Sequence, residues 1–357
     1  MRRKPQRRPL KARNQSEKSP KNPFRQYSNK AAVHKKNLKM VEIARWLWRI
    51  ICMETFEQSG AKLYKFTRGP STFIANIENG ARLMNWAVSF ADGAVRDVIY
   101  WPENGPVGGG EDFGEVRGGI PVLFPFAGAS FADGEKGFWK TPDNELLPMR
   151  MHGYAKGGQF KVEMASDIGF TALFMPSEDC AKAYPYKYEF RVTYRFEELS
   201  VYCELTLKNL DSRKIPWAAG LHPYFFLPWA PGHTRKMYRL SCDAKKAVRF
   251  LPDGTFVPED IFKNCFADAE FNNRILTNFK TAKVAFGPKN GEEDIFLKVG
   301  GGGKPDVGFC VVTWSEFENS PYYCVEPWMG LPNSASSPKH FVAQGASKTF
   351  FAEISLI

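Results

Sequence analysis

This sequence predicts an all-β fold, a large antiparallel sandwich behind a basic N-terminal tail. Three observations carry the prediction. Large apolar side chains recur at every second position in successive runs from about residue 60 to the C-terminus. Clusters of Gly, Pro, Asn and Asp separate those runs, where an α/β protein would have helical segments of about ten residues or more. Residues 1 to about 40 are poor in large apolar side chains.

The tail explains most of the charge. The chain of 357 residues has a formal net charge of +11. Residues 2–39 hold 14 Lys and Arg against the single acid Glu17, which leaves the rest of the chain at −2. A nearly neutral body offers no broad basic face for phosphate backbones, so any nucleic-acid binding is assigned to the tail. Lys, Arg, Pro, Asn and Ser dominate there and bury too little apolar surface to offset the entropy of ordering. A disordered basic extension is therefore expected over residues 1–52, ahead of one domain over residues 53–357. Three explanations fit such an extension: a nucleic-acid-binding arm, a targeting sequence, or codons translated upstream of a true start at Met53. The run Ala44-Arg45-Trp46-Leu47-Trp48-Arg49-Ile50-Ile51 is short and interrupted by Arg, and no stretch of about 18 apolar residues is present to span a membrane.

The strands follow in order. Expected segments are Thr72 to Ile77, Arg82 to Phe90, Gly158 to Met164 and Thr171 to Met175. In Tyr188 to Phe196 every second residue is large and apolar, and Leu199 to Leu207 repeats the alternation after a Glu197-Glu198 turn. These two runs read as an antiparallel hairpin. Tyr238 to Cys242, Val307 to Trp314 and Phe350 to Ile354 complete the set. The Gly-rich stretches Gly105 to Gly110 and Gly300 to Pro305 lack the Gly-Lys-Ser/Thr signature of a phosphate loop and read as flexible connections.

Seven scattered cysteines show neither a C-x-x-C pair nor a Cys/His cluster at zinc spacing. Reduced core thiols in a cytoplasmic protein are expected, with no metal. Of five histidines, His34 lies in the tail, and His233 and His340 fall in Pro/Gly/Ser-rich segments that read as exposed loops. His152 and His222 are each embedded among small, apolar and aromatic residues near a strand end. A lone histidine so placed is commonly a hydrogen-bonded structural residue. Two of them beside Glu326, in Tyr323-Cys324-Val325-Glu326-Pro327-Trp328, point to proton transfer instead. Glu326 follows an apolar strand, so its carboxylate is expected to leave the sheet edge into an aromatic cleft, where poor solvation raises its proton affinity. Arg117, beside Gly118 and Gly119, stands where backbone and ligand approach closely, and its guanidinium fork suits hydroxyls or a phosphate. The 30 Phe and 9 Trp fill a core and also suit stacking on sugar faces.

These residues carry a resemblance. Arg117-Gly118-Gly119-Ile120-Pro121-Val122-Leu123-Phe124-Pro125-Phe126-Ala127-Gly128 is similar to the R-G-G-I-P-x-x-F-P-x-x-G segment of the hexose-6-phosphate mutarotase branch of the aldose 1-epimerase superfamily. Met151-His152-Gly153-Tyr154-Ala155-Lys156 resembles its H-G-[FL]-A-R segment, Leu221-His222-Pro223-Tyr224-Phe225 its second-histidine strand, and Val325-Glu326-Pro327 its I-E-P. Gly80 to Trp86 and Tyr100-Trp101 fit its first hairpins, so the likeness covers about residues 60–357.

The resemblance implies a galactose mutarotase-like supersandwich that interconverts α and β anomers of an aldohexose without a cofactor. It places the acid on His222 and the base on Glu326, with Arg117 and His152 holding the substrate; the proton transfers are expected from opposite sides of the sugar ring, and Lys156 and Trp328 are further substrate-binding candidates. Lys156 departs from the family's arginine, and Trp328-Met329-Gly330 departs from the phosphate-sugar branch, which favours a free aldose over a 6-phosphate. The alternatives are a hexose-6-phosphate 1-epimerase and a non-catalytic sugar-binding module on the same fold.

Overall fold

The structure, a computed structural model, describes residues 51–109, 111–288, 295–300, 305–334 and 339–357. The expected disorder of residues 1–50 and the expected loop at residues 301–304 lie outside them.

Alternation in the sequence becomes two stacked antiparallel sheets. The larger begins with the meander Ile51–Gln58, Ala61–Arg68, Ser71–Asn76, Arg82–Ser89 and Val95–Ile99. It continues through Tyr224–Phe226, Tyr322–Trp328, Cys310–Trp314, Arg274–Thr277, Lys246–Phe250 and Phe256–Glu259. Its first strand runs across the expected boundary at residue 52, since Ile51 pairs with Arg68 and Cys52 with Thr67. The second sheet orders Gln159–Ser166, Gly169–Met175, Tyr188–Glu197, Ser200–Asn209, Ser347–Leu356, Ile295–Val299, Lys283–Pro288 and Tyr238–Cys242. Among the described residues the α-helices are only Glu111–Glu115 and Glu178–Ala183.

The expected hairpin pairs Tyr188 with Asn209 through Glu197 with Ser200, so its turn is Glu198-Leu199 and not Glu197-Glu198. Leu199 caps that turn and is exposed, because a two-residue connection leaves its side chain no face to pack on.

Phenylalanine joins the sheets. Phe73 from the larger sheet stacks on Phe196 of the smaller at 4.5 Å between centroids, and Phe66 meets the same ring tilted, at 4.7 Å. All three are fully buried, and each such side chain contributes roughly 1.5–3 kcal/mol.

Strand Tyr322–Trp328 is buried along its whole length. Tyr323 and Val325 join the core between the sheets, whereas Cys324 and Trp328 belong to separate apolar clusters on the opposite face. Leu123 and Ala127, from the glycine- and proline-rich run, pack on that second face against Ile275 and Val312 of the same sheet. A sheet covered on both faces leaves this strand without a polar side, and the functional cleft opens between the second face and its covering loops.

Candidate active site

Each candidate side chain is set by a local break in regular structure. Pro223 interrupts the chain between Gly220–Leu221 and Tyr224–Phe226. His222 sits in the gap, its backbone N–H donating to Pro121 O at 3.1 Å while Tyr224 N–H donates to Gly119 O at 2.9 Å. The Arg117 run thus lies against the His222 run. Gly119 is required there, since its φ is +66° and a Cβ would come within 2.5 Å of Leu83 O. His152 occupies a turn with φ of +65°. It precedes Gly153, where a Cβ would stand 2.0 Å from Phe124 O.

A cleft of about 1460 Å³ brings the sequence-predicted residues together, and Arg117, His152, Lys156, His222, Glu326 and Trp328 all line it. His222 Nε2 lies 3.4 Å from Glu326 Oε1. Both residues are buried, at 8% and 1% exposure. Glu326 does not emerge at a sheet edge as expected. Its strand is central, flanked by Tyr224–Phe226 and Cys310–Trp314, and the covering loops create the aromatic cleft. Nor do the two groups face each other across the width of a sugar ring. They stand side by side.

Burial pushes the Glu326 carboxyl well above the ordinary carboxylate range, and it pushes His222 well below the ordinary imidazole value, helped by His152 and Arg82. Both shifts favour a protonated carboxyl beside a neutral imidazole. Glu326 Oε2 and His222 Nδ1 have no hydrogen-bond partner within the protein.

His152 makes a reciprocal contact with Gly128: its Nδ1 accepts the Gly128 N–H at 3.1 Å, and its own N–H donates to Gly128 O at 2.9 Å. Burial, with Lys156 nearby, holds its pKa down to about 3. The neutral ring with Nδ1 accepting must carry its hydrogen on Nε2, which makes His152 a donor to a cleft ligand. Its ring stands edge-on to His222 and Trp328, at 5.4 and 5.6 Å between centroids. The cations at the rim are matched by acids: Arg117 Nε meets Glu316 Oε2 at 2.9 Å, and Lys156 Nζ meets Glu115 Oε1 at 2.5 Å.

Sequence reasoning missed three contributors. Tyr224 lies flat against His222, and Trp314 meets it edge-on at 5.7 Å. The first had a signal, since Tyr224 falls two residues after His222 and so on its side of an extended chain. The third is Arg82, fully buried, whose guanidinium donates to Phe113 O, Val116 O and Gly118 O at 2.5–2.7 Å and so holds the loop that carries Arg117. His233 and His340 are half-buried rather than exposed: His233 Nδ1 lies 3.0 Å from Tyr238 Oη, and His340 Nε2 2.9 Å from Met329 O. All seven cysteines are unpaired, and four of them, Cys180, Cys203, Cys310 and Cys324, are buried. Among the described residues no helix is long and apolar enough to cross a membrane.

Comparison with known proteins places this geometry in a family context. The pattern of the family described as aldose 1-epimerase matches residues 78–346, a range that contains every candidate residue above. A protein named LacX, of Lactococcus lactis subsp. lactis, is 25% identical over 232 residues, 61% of this chain and 76% of its own. A galactose mutarotase-like protein from Lactobacillus casei ATCC 334 superposes with a TM-score of 0.62 at 22% identity, covering 85% of this chain and 100% of that one. A galactose mutarotase related enzyme from Lactobacillus acidophilus gives 0.63 at 17% identity, covering 83% and 97%. At these identities the two structures share the fold.

Proposed function

Because this chain belongs to the aldose 1-epimerase family, we propose that it is a mutarotase that interconverts the α and β anomers of a free aldohexose by acid/base ring opening and closure, within a single domain over residues 51–357. The observation that carries this reading is the His222–Glu326 contact of 3.4 Å at the wall of an aromatic-lined cleft.

Anomer exchange needs a proton removed from the C1 hydroxyl and another delivered to the ring oxygen. Both oxygens are bonded to C1, so an acid and a base that stand side by side reach them from one side of the ring. One shared proton suffices. Following the family resemblance, His222 donates to the ring oxygen while Glu326 takes the hydroxyl proton, and the ring opens to the aldehyde. Rotation about the C1–C2 bond presents the other carbonyl face, and the two groups reverse roles as the ring closes. The pair ends with the proton it began with, so the cycle consumes nothing. The opposite shifts of the two groups favour that proton on Glu326 before substrate binds. The His152 Nε2–H and the sugar's own hydroxyls supply the polar partners that favour its transfer to His222.

Trp328 and Trp314 give the ring apolar faces to lie against. Arg117 and Lys156 are assigned to the remaining hydroxyls. A 6-phosphate is disfavoured because both cations are already matched by carboxylates, which a phosphate would have to displace.

The test is anomer exchange measured by NMR for glucose, galactose and their 6-phosphates. Acceleration of the free sugars above that of the phosphates is expected. Absence of acceleration over buffer for all four defeats the proposal, and saturable sugar binding without acceleration would instead identify a non-catalytic sugar-binding module.

A further inference from the structure

We propose that His222, Cys324 and Glu326 together form a three-ligand site for Zn²⁺, through which the metal blocks the cleft reversibly. Binding of the metal stands on geometry alone. Only the expected loss of activity rests on the function proposed above.

Cys324 precedes Glu326 by two residues on one strand, so both side chains project from the same face. Cys324 also pairs across the ladder with Tyr224, two residues beyond His222. The sequence separation hides this convergence. One ligand atom from each of the three residues lies within 4.8 Å of the other two. Zinc bonds to nitrogen and oxygen of about 2.1 Å at a tetrahedral angle put those atoms about 3.4 Å apart. His222 Nε2 and Glu326 Oε1 stand at 3.4 Å. The Cys324 sulfur is the third ligand atom of that group.

A second observation points the same way. The other oxygen of the same carboxylate, Glu326 Oε2, is buried without a hydrogen-bond partner, and native sites commonly satisfy such an atom with a ligand, a water or an ion. One soft thiolate, one imidazole and one carboxylate select zinc over magnesium or calcium, which prefer oxygen alone. Both His222 and Glu326 line the cleft, which gives the ion a way in and leaves the fourth coordination position to water or a sugar hydroxyl.

The exchange balances simply. Zinc enters, the Cys324 thiol proton and the proton shared by Glu326 and His222 leave to solvent, and the bound ligands are a thiolate, a carboxylate and a neutral imidazole. With both proton-transfer groups ligated, neither can serve a sugar.

Equilibrium dialysis of the full chain against Zn²⁺, together with the near-ultraviolet spectrum of the Co²⁺-substituted protein, tests the site. The wild type should hold one zinc more tightly than either Cys324→Ser or Glu326→Gln, by about 100-fold, since even outer partners of a ligand are worth 10–100-fold. A thiolate-to-cobalt charge-transfer band should appear in the wild type and vanish in Cys324→Ser. A wild-type cobalt spectrum without that band overturns the proposal whether or not the variants fold, as does a band or a zinc affinity that neither substitution changes. Neither readout requires turnover. A chain that binds cobalt through Cys324 yet fails to exchange anomers defeats the function proposed above and keeps the metal site, and the converse result does the opposite.

Discussion

The imidazole of His222 lies on the phenol ring of Tyr224, 4.7 Å between centroids and 10° between planes. Trp314 closes on both rings edge-on, at 5.7 and 6.2 Å, so the imidazole is fixed on two sides by aromatic surface. A proton donor held this way is aimed before substrate arrives. Tyr224→Phe keeps the stacked surface and should retain most of the activity. Tyr224→Leu removes it, and kcat should fall about 10- to 100-fold with little change in KM, because a misplacement of about 1 Å is worth up to ~100-fold. Steady-state anomer exchange of the two variants is the check, and equal losses in both would show that orientation by stacking is not what Tyr224 provides.

The protonation of the His222–Glu326 pair sets the pH dependence. With ordinary values of 4.5 and 6.5 the pair would hold an imidazolium beside a carboxylate at mildly acidic pH and lose its proton as pH passed 6.5. Burial moves the two values in opposite directions, Glu326 up and His222 down, which favours the carboxyl over the imidazole as the holder of the pair's proton. The alkaline limb of kcat/KM should therefore be set by Glu326 and should shift little with temperature, as the ionisation of a carboxyl does. An alkaline limb with the strong temperature dependence of an imidazole would contradict this.

Removing the carboxyl should separate activity from stability. Glu326 has its folded pKa raised above the unfolded value of 4.5. Its contribution is fully present below that value and is lost as pH rises, because the unfolded chain ionises first. Gln does not titrate. Glu326→Gln should therefore cut the rate by about 10²- to 10⁴-fold while melting above the wild type at pH 8 and much closer to it at pH 4. Thermal unfolding at the two pH values tests the sign.

Much of this arrangement was legible in the chain, and the parts that were not have physical causes. The Tyr188–Asn209 hairpin declared itself because one face of each strand is buried and the other is not. Strand Ile51–Gln58 escaped notice because Glu54, Thr55, Phe56, Glu57 and Gln58 are all exposed, which leaves no alternation to detect. Strand Tyr322–Trp328 hid its central place for the opposite reason, being buried on both faces. His222 and Glu326 were found through their motifs, but their side-by-side geometry comes from ladder register, with Tyr224 opposite Cys324 and Cys324 opposite Trp314. Register of that kind joins residues far apart in sequence. Arg82 was invisible as a brace, since the three carbonyls it binds belong to the backbone of other residues.

That brace predicts a loop defect. Arg82 is fully buried between Trp101 and Phe113, with its guanidinium carbon 5.1 and 5.3 Å from their ring centroids, and its donors serve three carbonyls. Burial holds its pKa down to about 10, still high enough to keep the charge at neutral pH. Arg82→Met keeps much of the packing but leaves Val116 O and Gly118 O unpaired, at a cost of about 1–3 kcal/mol each before relaxation, while Phe113 O keeps its bond from Val116 N–H at 3.3 Å. Urea unfolding should show a loss of several kcal/mol, and any folded fraction should show a raised KM from a loosened Arg117. Arg82→Lys, with a point charge in place of a fork, should recover only part of either. An Arg82→Met protein with unchanged stability would mean that the loop satisfies its carbonyls without this side chain.

Discrimination between a free and a phosphorylated sugar should depend on the acids at the rim. Glu316 holds Arg117 and Glu115 holds Lys156; the Glu115 side chain is 73% exposed against 19% for Lys156, whereas Glu316 is the more enclosed partner of its pair, at 27% against 51% for Arg117. Exposed pairs of this kind are worth about 0–1 kcal/mol, so neutralising the acids costs little stability. It does free two cations that line one cleft. The Glu115→Gln/Glu316→Gln double variant should gain about 10-fold in kcat/KM for a hexose 6-phosphate, and added salt should erase the gain because the new attraction is a screened surface effect. kcat/KM for the free hexose should stay within about twofold, since uncharged hydroxyls gain little from an unpaired cation. A double variant with its ratio of phosphorylated to free substrate unchanged would show that Arg117 and Lys156 do not approach the C6 end of the sugar.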